Sequence, residues 1–200
     1  ISGIMIRTRH ATSADESALV TCINEAFRPA NLNLKKPECQ HRCNLHEIRR
    51  LLSTANSTIF VAEQVLETDA DGNAATTSSV VSGCVYVSWE YCDDDVLVGH
   101  LSLLSVPKEF SKRGIGSRLM DVGEALVARQ ATALTRDIRL DISVVSIRDD
   151  LRAFYERRGY KTTGKELDAP GFAATLNDQH AYVLLLEMQL HVPVLADFGN

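Results

Sequence analysis

The chain has 200 residues, and several things it lacks narrow what it can be. No apolar run approaches the roughly 18–20 residues that cross a bilayer as a helix. The opening "ISGIMIRTRH" has no apolar signal-peptide core. There is no basic excess: the formal net charge is −5 and the isoelectric point about 5.7. A general nucleic-acid binder is therefore not expected, nor a membrane partner. Cysteine is sparse and odd in number, five in all. The scatter of these residues does not resemble a secreted disulfide framework, so a reducing setting, cytoplasmic or nuclear, is expected. No internal repeat or linker divides the chain, and its length suits a single domain over 1–200 with a real core.

Hydrophobic periodicity orders the elements. "IMIRTRH" reads as a strand, with Thr12 or Ser13 as cap of the helix that follows. Ala18, Leu19, Cys22, Ile23, Ala26 and Phe27 recur at helical spacing, and Pro29 is expected to stop that helix, leaving a loop over 28–37. A second helix is predicted over about 39–53. "STIFVAEQV", "VVSGCVYVSWEY" and "VLVGHLSLLSV" read as strands, with 66–79 between the first two as a long, flexible hairpin loop around Asp71-Gly72. A helix over about 114–130, the strand "IRLDISVV", a helix over "RDDLRAFYERR" and two last strands complete the order. Hairpins imply antiparallel pairs and the strand–helix–strand steps permit a parallel crossover. The expected fold class is α/β, strictly α+β: a central mixed, mostly antiparallel sheet with helices on both faces.

The stretch "SKRGIGSRL" lies between a strand and a helix. The first N–H groups of a helix lack internal partners, and its dipole favours an anion there. Gly114 and Gly116 would admit a phosphate close to the backbone, with Lys112, Arg113 and Arg118 adding charge. The third glycine of a dinucleotide fingerprint is absent, Leu119 standing in its place, and so is the Gly-Lys-Ser/Thr of a P-loop. The loop by itself leaves two readings open, an anion site or a turn with a helix cap.

Its surroundings supply a resemblance. "HLSLLSVPKEFSKRGIGSRLMDVGEALV" resembles the cofactor motif of the GNAT superfamily of N-acetyltransferases, and "DISVVSIRDDLRAFYERRGY" its second signature. "IRTRHATSADESALV" is similar to the family's opening strand and acidic helix start. The resemblance implies a sheet whose fourth and fifth strands splay apart, with the pantetheine arm of acetyl-CoA in the gap. Leu104, Ser105 and Val106 would form the edge that pairs with pantetheine and polarises the thioester carbonyl. Ser111, Lys112, Arg113, Gly114, Ile115, Gly116 and Ser117 would wrap the pyrophosphate. Three positions depart from the family pattern: Ser111 at the head of the loop, Arg148 where an Asn commonly contacts pantetheine, and Leu151 where a small residue is usual. Arg148 could instead approach a phosphate of the cosubstrate or lie exposed at a helix start.

The implied activity is transfer of acetyl from acetyl-CoA to an amine of a small molecule or protein. The alternative is an inactive CoA-binding module; a nucleotide-phosphate enzyme using the same loop is a remote third. Tyr155 stands at the family's general-acid position, and a phenol can donate to a leaving thiolate. His100 resembles the strand histidine of arylalkylamine acetyltransferases, although the second histidine found there is Ser102 here. With strict alternation His100, Ser102, Leu104 and Val106 share one face. Glu63, Glu90 and Asp141 are further strand carboxylates that could act through water. "CQHRCNLH" would put Cys39, Cys43 and His46 on one helical face, but the spacing is weak for zinc, so the cysteines read as core-facing and no metal is expected. Acceptor choice is expected from about 27–43 and from 168–180. A homodimer is compatible with this reading.

Overall fold

A computed structural model describes residues 4–34, 41–70, 73–92, 95–167 and 182–190. Seven strands form one sheet in the order β1-β2-β3-β4-β5-β7-β6. They are β1 (Ile4–His10), β2 (Ser57–Ala70), β3 (Asn73–Cys92), β4 (Val96–Ser105), β5 (Asp137–Val145), β6 (Lys161–Leu167) and β7 (Val183–Leu190). All neighbours are antiparallel except β4 and β5, which run parallel. The helices are α1 (Glu16–Leu34), α2 (Leu45–Ser53), α3 (Ile115–Arg129) and α4 (Asp149–Arg157).

The alternation of the strands divides the core between the two faces of the sheet. On one face Leu19, Cys22, Ile23 and Ile48 of α1 and α2 pack on Ile59, Val61 and Cys84. On the other, Ile115, Leu119, Met120 and Val127 of α3 meet Val85, Val87, Leu97 and Leu101. Tyr155 of α4 and Tyr160 extend that second layer over Ile142, Val144 and Leu186. The helix-on-both-faces expectation is met. Arg158 braces α4 against α3 through Asp121 at 2.7 Å and Glu124 at 2.8 Å.

Three boundaries differ from the sequence reading. Helix α1 does not stop at Pro29 but continues to Leu34, the proline lying inside it. Proline removes one hydrogen bond and disfavours a helix interior without forbidding it, and α1 is held from its other end. There Arg9 donates to Asp15 at 2.8 Å from two nitrogens, and Asp15 also accepts from the Thr12 N–H at 2.8 Å. Helix α2 begins only at Leu45, because Asn44 caps it by accepting from the Glu47 N–H at 3.0 Å. Nor is 66–79 a loop over its described residues: the β2–β3 ladder runs through them to Ala70↔Asn73. Its threonines are β-branched and suit strands, an effect the polar composition concealed.

Candidate active site

The β4–β5 ladder runs from Val96↔Asp137 to His100↔Asp141 and ends there. Beyond it β4 continues to Ser105 and β5 to Val145 without pairing each other. Two strand edges thus diverge from a vertex at His100 and Asp141, and the backbone groups facing the gap are offered to a third, extended partner.

A bulge then re-aims the end of β4. Against β3, Tyr86 faces Ser102 but Cys84 faces Ser105, so one β3 residue opposes two on β4. Leu103 takes φ of 52°, rare for a bulky residue. The buried Ser105 hydroxyl donates to the Leu103 carbonyl at 2.8 Å, filling the kink from within. The extra residue inverts the alternation. Leu103 packs on the α1–α2 side, whereas Leu104 and Val106 pack with the α3–α4 layer. This corrects the expectation that His100, Leu104 and Val106 share a face. His100 and Ser102 precede the bulge and keep their side of the sheet; Leu104 and Val106 have changed theirs.

Leu104 and Val106 line a cavity of about 230 Å³ with Ala26 and Phe27 from α1 and Arg148, Leu151 and Phe154 from α4. Sequence reasoning missed Phe154 and the part played by Ala26; the helical stripe that buries them gave no sign that it ends in a cavity. Arg148 stands over this cavity and not over the glycine loop, its guanidinium held by Asp150 at 2.8 and 2.7 Å. Leu151, large where a small residue is usual, forms part of the same wall.

A second cavity, about 330 Å³, opens at the start of α3 between Ile6, Arg113, Gly114, Ile115 and Arg118. Gly114 caps the helix with φ of 74°, which glycine adopts without steric cost. The Arg118 N–H is the first in α3 to find a backbone acceptor, Gly114 at 3.0 Å, so the preceding N–H groups have none within the helix. Packing does not explain the second glycine: a Cβ at Gly116 would meet only Val106, at 3.9 Å. Space and unpaired donors together fit an anion pressed against the backbone. Arg113 lines this mouth; Ser111 and Lys112, the latter with φ of 61°, precede it in the chain and are exposed, while Ile115 is buried and Ser117 half-buried. Arg118 is spent otherwise, donating to the Ile6 carbonyl and tying β1 to α3.

Tyr155 lies behind the cavity wall, buried, with its ring edge-on to Phe154 at 5.2 Å and Tyr160 at 5.9 Å. Burial pushes its phenol up to about 12, against the opposing pull of Arg148 and Arg158. At neutral pH it keeps its proton.

The strand carboxylates separate into two groups. Glu63 is locked between Arg7 at 2.9 Å and Arg9 at 2.8 Å. Burial pushes its carboxyl up, but hydrogen bonds from Arg9 and Arg7 outweigh that and hold it below the ordinary value. It belongs to the anchor of α1. Glu90 and Asp141 instead flank His100, at 3.4 Å from Nε2 and 3.9 Å from Nδ1. Cys43 is buried ahead of α2, and burial first of all raises its thiol to about 11. Cys39 and the segment 168–180 lie outside the described residues. No group of three or more potential metal ligands occurs among the described residues.

Residues 55–162 match the acetyltransferase (GNAT) domain family. The chain belongs to that family. The GNAT domain shares its fold with solved structures at low identity. Arabidopsis thaliana NAA60, in complex with acetyl-CoA, is 16% identical, with 93% of this chain and 99% of that one covered at a TM-score of 0.65. PaiA N-acetyltransferase from Thermoplasma acidophilum, in complex with coenzyme A, is 14% identical, covering 93% and 99% at 0.61. The NatC complex bound to Gag peptide and CoA gives 16%, 92% and 98%, and 0.60. No curated protein matches the GNAT domain in sequence. None of its helices among the described residues is long and apolar enough to cross a membrane.

Proposed function

We propose that this GNAT domain is an acetyl-CoA-dependent N-acetyltransferase that acetylates a primary amine of a small molecule or protein directly, with both substrates bound together. The observation that carries this reading is the divergence of β4 and β5 beyond His100 and Asp141, with one cavity beside the gap and another at the start of α3. An extended pantetheine arm with its amide groups suits such an unpaired edge, and a pyrophosphate suits the amides of 114–117. Bound acetyl-CoA supplies an activated thioester.

The chain's own residues do the rest. Backbone groups of Leu104, Ser105 and Val106 hold and orient the arm. Ser111, Lys112 and Arg113 add polarity and charge around the phosphates, and Gly114, Ile115, Gly116 and Ser117 supply N–H donors. Arg148, Leu151 and Phe154 close the wall and restrict water. Tyr155, still protonated, is the acid that donates toward the leaving sulfur. His100 is the base on the acceptor side, acting through an intervening group. The described cysteines are free, which fits a reducing, cytoplasmic setting.

The test is release of free CoA thiol on incubation with acetyl-CoA and a panel of amines that includes peptide N-termini. Turnover with at least one amine is expected. Tight acetyl-CoA binding without release for any of them would favour the inactive binding module.

A further inference from the structure

Breaking a thioester leaves a negative charge on sulfur. The lone pair of the neutral amine forms the new C–N bond, and the electrons of the C–S bond depart with the thiolate. An apolar cavity disfavours that charge unless its wall answers it. Among the described residues, seven line the cavity beside the β4–β5 gap. Six of them are apolar, and the seventh is Arg148.

Tyr155 does not meet the need alone. It lies buried behind this wall. Its phenol, pushed up by burial to about 12, holds a proton far more tightly than an ordinary thiol of about 8.5. It can hydrogen-bond toward sulfur, but early transfer of its proton is uphill. The sulfur therefore carries charge before it is protonated.

Arg148 is held ready for such a charge. Its Nε and Nη2 donate to Asp150 at 2.8 and 2.7 Å, which fixes the plane of the guanidinium. Its Nη1 has no partner among the described residues. The two partners differ in exposure, 29% for the Arg148 side chain and 67% for that of Asp150. Water screens the carboxylate more than the guanidinium, so the cavity meets a positive wall. Besides Asp150, the titratable group acting on Arg148 is Tyr155, which is uncharged at neutral pH.

Resting on the acetyl-transfer reading above, we infer that Arg148 is a catalytic residue whose guanidinium receives the charge of the departing CoA thiolate. The asparagine usual at this position would offer a neutral donor; the guanidinium offers a charged one, whose hydrogen bonds to an anion are stronger. A donor already in place where charge develops favours the transition state over the neutral thioester. Tyr155 then protonates the sulfur, and the proton shed by the amine restores the phenol by way of solvent. Asp150 is a positioning residue: it acts through Arg148.

The experiment titrates the thiol of CoA bound to wild type, R148K and R148N, following the ultraviolet absorbance of the thiolate. The complex with desulfo-CoA, which lacks the sulfur, is the blank for the chain's own five cysteines. In the wild-type complex the thiol should be about tenfold more acidic than in free CoA. R148K should keep part of that effect, and in R148N the thiol should be no more acidic than in free CoA. In steady-state CoA release R148N should lose about a hundredfold in kcat with little change in the KM for acetyl-CoA. Arg148 is paired only with an exposed carboxylate among the described residues, so both variants should fold, which thermal unfolding checks. A wild-type thiol that titrates as in free CoA, or an R148N thiol as acidic as that of wild type, overturns the role of Arg148 and leaves acetyl transfer standing. So does an R148N that weakens CoA and desulfo-CoA equally and keeps its kcat, since that marks a residue holding the arm alone. Absence of CoA release by wild type with every amine overturns acetyl transfer and the role of Arg148 with it.

Discussion

The Asp15→Asn variant tests how α1 is held, and through it one wall of the cavity. Asp15 accepts from Arg9 at 2.8 Å and from the Thr12 N–H at 2.8 Å, and it is buried. The Arg9 hydrogen bond is the main cause that lowers its carboxyl from 3.8 to about 2, against a burial effect of opposite sign. A carboxylate depressed on folding contributes stability that is complete above the unfolded value and is lost as pH falls toward the folded one. A shift of this size is worth about 2 kcal/mol. Asparagine keeps the shape and part of the capping but loses the charge. In urea titrations followed by circular dichroism, D15N should be less stable than wild type by about 2 kcal/mol near neutral pH. The gap should narrow as pH falls from about 4 and close near pH 2. A gap that persists undiminished at the lowest pH would show that the effect is packing, not charge, and equal stability at neutral pH would refute the anchor.

Gly116→Glu fills the space over the start of α3 with a side chain of phosphate-like charge; CoA binding measured by calorimetry should weaken about tenfold or more, and unchanged affinity in a folded variant would remove the loop from cosubstrate binding. Tyr155→Phe should lower kcat about a hundredfold with little change in CoA affinity, and equal turnover would end its role as acid. Gly99→Ala would bring a Cβ within 2.6 Å of Val127 and 2.8 Å of Leu140. Both neighbours are fully buried, so overpacking should cost about 1–3 kcal/mol in urea denaturation.

Much of this molecule could be read before it was seen, because its signals are local. The stripe of Ile115, Leu119, Val122 and Leu126 defines α3, and Gly114 marks its start by a backbone angle that glycine adopts freely. The strand order followed from alternation and turn residues. What could not be read depended on neighbours distant in sequence. Whether α1 passes Pro29 depends on how firmly its first turn is anchored, and Arg9, Asp15 and Glu63 form that anchor only after β1 and β2 pair. The bulge at Leu103 leaves a faint trace, since "LSLLSV" breaks its alternation at Leu103-Leu104, with apolar residues at 101 and 103 and then at 104 and 106. A single doubled apolar residue does not distinguish a bulge from a strand buried on both faces, and the mismatch of register with β3 decides it. The grouping of Glu90 and Asp141 around His100 likewise requires β3, β4 and β5 to lie side by side.

That single extra residue in β4 has a consequence for how such a domain can change. It makes one short strand present side chains to opposite sides of the sheet, positions 100 and 102 to the α1–α2 side and positions 104 and 106 to the α3–α4 layer and its cavity. On the function proposed above, the first pair would serve the acceptor and the second the acetyl donor. Substitutions on one side of the kink can be tried without disturbing the other. A domain built this way can be reprogrammed for a new amine while its machinery for the acetyl donor is inherited intact.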